Sequence, residues 1–276
     1  MLKIGISLRN QNQLSEEFFD ELNRNGVGAI EHSIICKNTD YKALSLLSRK
    51  YDVDLWSYHL PYNQTDISDP LYEKAALDTY RELINEAAAY GFSRFVIHPC
   101  HTVTEEDRAE RFKIAKRNLP IIAEYAKSKG AVLAVEDLPK QCIGRTSGEI
   151  LELISTHENL YACFDTNHLF FEKPHEYARA LGDKIITMHV SDYDFISERH
   201  WLPGEGKIDW ISLYNAICDI NYKGVWMYEV SFSSKTIFRD KPSLDVSDFA
   251  NNAREIFAGK QPTKIGTPNP EIYNNI

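Results

Sequence analysis

The apolar positions along the chain switch repeatedly between the spacing of a strand and the spacing of a helix. Short apolar runs predict strands, and segments whose apolar residues recur every three or four positions predict helices. The predicted strands are 3–8, 28–34, 54–60, 94–100, 131–137, 161–167, 185–192 and 224–231. The predicted helices that alternate with them are 15–25, 40–51, 71–91, 105–129, 147–156, 174–182, 209–220 and 244–258.

Strict alternation of strands and helices over roughly 250 residues is typical of a (β/α)8 barrel, the TIM barrel. Several strands are almost continuously apolar, as a parallel sheet covered on both faces requires. The rival is an open, doubly wound sheet, which often carries a glycine-rich phosphate turn after its first strand. The segment GISLRNQNQ at 5–13 has no such turn. The sequence therefore predicts a single-domain barrel over 1–258 and a C-terminal tail over 259–276.

Composition narrows the class of partner. The chain has 40 acidic and 31 basic residues and a net charge of −9, which disfavours binding to nucleic acid or to anionic membranes. The N-terminal segment MLKIGISLRNQ lacks the apolar core of a signal peptide, and we expect a cytoplasmic protein. The cysteines contain no C-x-x-C pair and predict neither a disulfide framework nor a zinc ribbon; they are Cys36, Cys100, Cys142, Cys163 and Cys218.

Six consecutive predicted strands, the third to the eighth, end in a residue that can bind a metal ion or transfer a proton. These residues are His59, His98, Glu136 with Asp137, Asp165 followed by His168, His189 followed by Asp192, and Glu229. In a TIM barrel the carboxyl ends of the strands face the active site, so we expect the side chains to meet there. Carboxylates and imidazoles without thiolates suit Mn²⁺, Mg²⁺ or Co²⁺, and further histidines would favour Zn²⁺. Glu31 ends the second strand and either lines this pocket or supports it.

Several of these segments together resemble the xylose isomerase-like TIM-barrel superfamily. They are EDLP from Glu136, DTNH from Asp165, HVSD from His189, PGEGKIDW from Pro203, and Glu229. The superfamily includes sugar phosphate isomerases and epimerases, ketose 3-epimerases and apurinic-site nucleases of the endonuclease IV type. The resemblance extends over about residues 1–258.

The resemblance to the ketose epimerases implies a metal-dependent isomerase. One divalent metal would be held by Glu136, Asp165, His189 and Glu229. Of these, Glu136 and Glu229 would also exchange protons with a sugar through an enediolate, and His168 would contact the substrate. The remaining candidates for binding a sugar or polyol are His59, His98, Arg199 and His200. Whether the reaction is epimerisation or aldose–ketose isomerisation stays open, and relatives suggest a homodimer or homotetramer.

Two alternatives remain. His59 and His98 match positions that supply zinc ligands in endonuclease IV, and ERHWLPGEG from Glu198 resembles the D-R-H-x-x-x-G-E-G segment of those nucleases, with Glu198 in place of Asp. The acidic charge balance and the lack of an obvious basic loop argue against DNA as a substrate. The second alternative is a barrel that binds a sugar without converting it. The presence of both Glu136 and Glu229 argues against that alternative.

Overall fold

Eight parallel strands close into a barrel in which each strand neighbours the next along the chain and β8 pairs with β1. The computed structural model describes residues 1–33, 39–62, 65–101 and 103–273. The strands are β1 (Lys3–Ser7), β2 (Val27–Ser33), β3 (Asp54–His59), β4 (Arg94–Ile97), β5 (Val132–Glu136), β6 (Leu160–Asp165), β7 (Ile185–Val190) and β8 (Val225–Tyr228). The predicted (β/α)8 barrel is confirmed.

The helices that follow the strands surround the barrel. They are α1 (Glu16–Asn25), α2 (Tyr41–Tyr51), α3 (Glu73–Ala88), α4 (Arg108–Ser128), α5 (Ser147–Ile154), α6 (Pro174–Leu181), α7 (Trp210–Asp219) and α8 (Val246–Phe257). Local capping fixes several of their starts. Ser15 accepts a hydrogen bond from the Phe18 amide, and Thr146 accepts one from the Glu149 amide. Such caps satisfy amides that have no partner inside the helix.

The register of the strands brings their last residues to one end of the barrel. Glu136 on β5 pairs level with Cys163 on β6, and Asp165 on β6 pairs level with His189 on β7. Side chains two residues apart on a strand point the same way. Ala134, Cys163 and Met227 are each two residues before Glu136, Asp165 and Glu229 along the chain, so these buried side chains also point into the barrel interior.

Part of the predicted tail adds secondary structure outside the barrel. A short strand β10 (Gly266–Pro268) pairs antiparallel with β9 (Ile237–Arg239), and helix α9 (Pro270–Tyr273) follows. Gly266 lies so close to Glu205 that an added Cβ would come within 2.3 Å of Glu205 Oε1. This glycine therefore lets the segment pack against the PGEG loop.

The described cysteines, Cys100, Cys142, Cys163 and Cys218, are free thiols, and Cys36 lies outside the described residues. Within the described part of the chain, every helix is too short or too polar to cross a membrane.

Candidate active site

Four acidic or imidazole side chains from consecutive strands meet in the barrel mouth. Glu136 and Asp165 are the last residues of β5 and β6, His189 lies near the end of β7, and Glu229 directly follows β8. One nitrogen or oxygen atom from each residue lies within 4.8 Å of the others. All four side chains are buried, with Asp165 and His189 fully enclosed. The structure thus brings together the four residues predicted to bind a metal.

His189 lies at the centre of this cluster and is oriented from behind by Glu31. Its Nε2 is 3.0 Å from Glu31 Oε2, while its Nδ1 is 3.0 Å from Glu136 Oε1. Glu31 is fully buried and accepts hydrogen bonds from Ser7 Oγ at 2.9 Å and Ser57 Oγ at 2.8 Å. A carboxylate that accepts the Nε2 proton leaves the Nδ1 lone pair facing the cluster. Glu31 therefore supports the site by holding His189.

The cluster has an excess of buried negative charge. Burial raises the pKa of Asp165 well above its usual value, and the nearby carboxylates of Glu229 and Glu136 act in the same direction. Asp165 Oδ2 and Glu229 Oε2 are both buried and accept no hydrogen bond from the described residues. Buried carboxylate oxygens without a donor are costly, and a bound cation removes that cost. The donor set of three carboxylates and one imidazole fits a divalent cation such as Mn²⁺, Mg²⁺ or Co²⁺.

His59 and His98 contact the second oxygen of Glu136, Oε2, whereas His189 contacts Oε1, and the ring of His59 stacks on that of His189. The Nε2 atoms of His59 and His98 lie 2.9 Å and 3.0 Å from Glu136 Oε2. His59 Nδ1 is 2.8 Å from the Leu60 carbonyl, to which it donates, so Nε2 can donate to Glu136 only when His59 is protonated. Burial opposes that protonation, but Glu136 and Glu31 raise the pKa of His59. His59, His98 and Glu136 are also close enough together to share a cation.

His168 and His200 lie on the outer side of the cluster with Glu198. His168 Nδ1 donates to the Asp137 carbonyl at 2.7 Å, and His200 Nδ1 is 3.1 Å from the Glu229 carbonyl. The Nε2 atoms of the two histidines lie 3.8 Å and 4.0 Å from Glu198 Oε2. The ligand atoms of these three residues also lie close enough together to hold a metal ion. Both histidines are therefore well placed to contact a molecule in the mouth.

Arg199 differs from the other predicted substrate contacts. Its Nε donates to Asp194 Oδ2 at 2.8 Å, and both side chains are almost fully buried. The Arg199 amide donates to Asn167 Oδ1 at 3.1 Å, so the DTNH turn anchors the loop that carries Arg199. The structure gives the Arg199 side chain a buried ion pair within its loop. Its role in binding a substrate stays a prediction, and a second arginine lies at the four-residue cluster itself.

Arg9 is the arginine that the sequence analysis missed. It lies two residues after β1, and its Nη1 is 3.1 Å from Glu229 Oε1. The Arg9 amide donates to the buried Gln13 side chain at 2.6 Å, which fixes the turn after the strand. The charges of His189 and Arg9 lower the pKa of Glu229, although burial, the largest effect, acts in the opposite direction. The available signal was its position, since a charged residue beside a strand end faces the mouth of a barrel.

The loop between β7 and α7 is built around Asp192. Asp192 Oδ2 accepts hydrogen bonds from the Gly204 amide at 2.8 Å and the Trp210 indole at 2.9 Å. Its Oδ1 accepts from the Ile208 amide at 3.1 Å. In the same loop, Glu205 accepts two hydrogen bonds from Arg239, at 2.8 Å and 2.7 Å. The PGEGKIDW segment therefore serves as a scaffold for the loop that carries Glu198 and His200.

Comparison with known proteins gives the family. Residues 19–248 match the family model described as xylose isomerase-like TIM barrel. The chain belongs to this family, and the predicted superfamily is confirmed.

Named relatives and solved structures are similar over most of their length. Fructoselysine 3-epimerase of Shigella flexneri is 24% identical over 232 residues, which cover 80% of this chain and 81% of the relative. The structure of a D-tagatose 3-epimerase-like protein has a TM-score of 0.77 at 20% identity and covers 93% of this chain and 97% of its own. The structure of L-ribulose 3-epimerase has a TM-score of 0.73 at 22% identity and covers 94% of both chains. At these identities the structural likeness shows the fold alone.

Proposed function

We propose that this protein is a metal-dependent sugar isomerase or epimerase that moves a proton on a carbon atom next to a carbonyl group. One observation carries the proposal. Two buried carboxylates, Glu136 and Glu229, approach the same atom, His189 Nδ1, at 3.0 Å and 3.3 Å. Such a pair can remove and return a proton on one substrate. Two relatives are named fructoselysine 3-epimerase and D-psicose 3-epimerase, and these names support this class over an apurinic-site nuclease and over a barrel that only binds sugar.

The residues that would hold the metal are Glu136, Asp165, His189 and Glu229. The expected ion is Mn²⁺, Mg²⁺ or Co²⁺, and Zn²⁺ is the alternative. When bound, such an ion polarises a carbonyl oxygen and stabilises the negative charge of an enediolate. Glu31 fixes the ring of His189, and Arg9 fixes one oxygen of Glu229. The protein therefore supplies a preorganised set of donors before a substrate arrives.

Proton transfer falls to the two glutamates. One ionised carboxylate takes the proton from the carbon next to the carbonyl, and the electron pair of the broken C–H bond moves into the enediolate. The other glutamate, in its acid form, then gives a proton back to carbon, and return to the opposite face of the same carbon gives the epimer. The relatives' names favour this outcome over aldose–ketose isomerisation. His59, His98, His168 and His200 are proposed to bind the hydroxyl groups of the sugar.

The proposed substrate is a small ketose or a related polyol. Nucleic acid is not an expected partner, because the net charge of the chain is −9. A homo-oligomer and a cytoplasmic location remain predictions.

Hydrogen exchange into the substrate tests the proposal. The protein, loaded in turn with Mn²⁺, Co²⁺ and Mg²⁺, is incubated in D₂O with D-fructose, D-tagatose, L-ribulose and fructoselysine, and deuterium on carbon is followed by NMR. Proton transfer places deuterium on the reacting carbon, whereas a hydride shift does not. We expect Glu136→Gln and Glu229→Gln each to slow this exchange by about 10²- to 10⁴-fold, the usual worth of a general acid or base.

A matched control is Glu152→Gln, which removes a carboxylate on α5 that pairs with Lys116 at the surface. This control is expected to keep the wild-type rate. Full activity in both site variants would show that the acid–base assignment is wrong. Absence of exchange on every ketose with every metal would count against the ketose as substrate.

A further inference from the structure

The opposite end of the barrel, where the strands begin, contains a cavity that the proposed chemistry does not use. It has a volume of about 580 Å³ and lies between the ends of α2 and α3 and the first residues of β3 and β4. The residues of its wall that matter here are Ser48, Arg49, Trp56, Tyr90 and Arg94. A neighbouring cavity of about 360 Å³ shares Trp56 and Arg94 and extends to Lys223. Both volumes lie within the range of sites for small molecules. We call this region the floor cavity.

Arg94 is the central side chain of the floor cavity. Its guanidinium lies over the Trp56 ring, 3.7 Å from the ring centroid, and the indole of Trp56 is held by a hydrogen bond of 3.2 Å to Thr187 Oγ1. Arg94 is partly buried, and this burial lowers its pKa. Among the described residues, no carboxylate lies within ion-pair distance of it. A guanidinium has five N–H donors, so Arg94 is held in place and still has N–H groups available to a ligand.

This arginine is unusual for the chain. Within the described residues, every arginine except Arg49, Arg94 and Arg254 forms an ion pair with a carboxylate. Two of these three arginines line the floor cavity. Arg49 contacts the carbonyl and hydroxyl oxygens of Ser45, both at 3.1 Å. The carboxylate in the wall, Asp54, is already paired with Lys3.

We infer that the floor cavity binds a phosphate group, either as inorganic phosphate or as part of a small organic phosphate. Arg94 and Arg49 supply the charge, and the hydroxyl groups of Ser48 and Tyr90 are further donors in the same wall. Arginine recognises phosphate by paired, charge-assisted hydrogen bonds, and its stacking on an indole leaves the edge of the guanidinium available. The remaining volume, bordered by Leu55 and Trp56, has room for an organic part. This site is independent of the proposed function of the mouth.

Tryptophan fluorescence gives a local measurement. Trp56 is partly exposed, whereas Trp201, Trp210 and Trp226 are fully buried, so a neutral quencher such as acrylamide reports mainly on Trp56. We expect inorganic phosphate and glycerol 3-phosphate to reduce this quenching saturably. Arg94→Gln should weaken the binding at least about tenfold, and Arg49→Gln should weaken it less, because Arg49 is more exposed.

Arg254→Gln is the matched control, because Arg254 also has no carboxylate partner among the described residues but lies on α8, where it contacts Asn251 and the Asn25 carbonyl. It should bind phosphate as the wild type does. Thermal unfolding of each variant verifies the fold. Arg94→Lys keeps the positive charge but not the planar set of N–H donors, and its affinity for phosphate should be intermediate. Equilibrium dialysis measures the binding of radiolabelled phosphate to the Trp56→Phe protein without fluorescence. This variant should still bind phosphate, which verifies that Trp56 reports binding but is not required for it.

Three results would overturn the inference. The first is no saturable change with either phosphate compound up to about 20 mM, well above the 1 mM dissociation constant of a weak but specific site. The second is Arg94→Gln protein that is folded and binds like the wild type. The third is a response to acetate as strong as that to phosphate, which would assign the cavity to carboxylates.

Discussion

At the scale of single residues, the two oxygens of Glu229 have different surroundings. Oε1 is 3.1 Å from Arg9 Nη1, whereas Oε2 lies in the cluster, 3.3 Å from His189 Nδ1, and accepts no hydrogen bond from the described residues. Arg9 thereby fixes the rotation of the carboxylate and leaves one oxygen for a metal ion or a substrate proton. Holding a reacting group in one orientation lowers the activation barrier of the reaction, because even a small displacement of that group slows the reaction markedly.

Removal of the Arg9 guanidinium should therefore have a larger effect on the turnover rate than on the stability of the fold. We expect Arg9→Met to lower kcat about 10- to 100-fold, because the Glu229 side chain is then free to rotate. Arg9→Lys should recover part of the rate, since it keeps a cation near Oε1. Steady-state kinetics and thermal unfolding, run side by side on the two variants, test this. Wild-type kcat in folded Arg9→Met protein would contradict a positioning role for Arg9.

At the scale of elements, the loop between β7 and α7 depends on one buried carboxylate. Each oxygen of Asp192 accepts from two donors, which are the Tyr193 and Ile208 amides for Oδ1 and the Gly204 amide and Trp210 indole for Oδ2. Together, these four hydrogen bonds join distant parts of the loop and so stabilise a segment that has little regular secondary structure. The same loop carries Glu198 and His200 to the mouth, so the shape of the loop and the composition of the site are linked.

An asparagine at position 192 tests this link. Its amide nitrogen would replace an oxygen that faces two N–H donors, which leaves those donors without an acceptor. We expect Asp192→Asn to lower the free energy of unfolding by about 2–4 kcal/mol, measured by urea denaturation. Asp209→Asn is the control, because Asp209 is an exposed N-cap of α7 and asparagine caps a helix equally well. Equal losses in the two variants would show that the loop does not depend on Asp192.

At the scale of the whole molecule, closure of the barrel buries four acidic side chains close together at its mouth. They are Glu31, Glu136, Asp165 and Glu229. A cation that binds the folded state and not the unfolded chain would stabilise it by mass action, by about 2.7 kcal/mol at a hundred times its dissociation constant. The fold and the metal site should therefore be thermodynamically coupled.

Metal analysis and metal removal test this coupling. Elemental analysis of protein purified without chelator should find about one Mn²⁺, Co²⁺ or Mg²⁺ per chain. Chelation should lower the melting temperature by about 5 °C or more, and re-addition of metal should restore it. Asp165→Asn should remove most of this response, since it weakens a proposed ligand. Two or three Zn²⁺ per chain would instead assign His59, His98, His168 and His200 as ligands, and protein without metal or any such response would contradict the site.

The order of strands and helices was predictable because hydrophobic period is a local property of the chain. Each strand began and ended within a few residues of its prediction, as in the segment 131–137, which contains β5. The cluster at Glu136, Asp165, His189 and Glu229 was predictable because barrel topology brings strand ends together. Arg9 was missed because it lies just beyond the first predicted strand, and its contact with Glu229 exists only once β8 pairs with β1.

The sequence by itself determined the repeating units, the barrel and the residue types at its mouth, because these depend on spacing along the chain and on side-chain chemistry. Only the tertiary structure decided which of those side chains touch. Arg9 meets Glu229 across 220 positions because β8 closes against β1, and His59 meets Glu136 across 77. Glu31 became a support for His189, and Arg199 formed an ion pair with Asp194, because burial requires each charge to find a partner nearby.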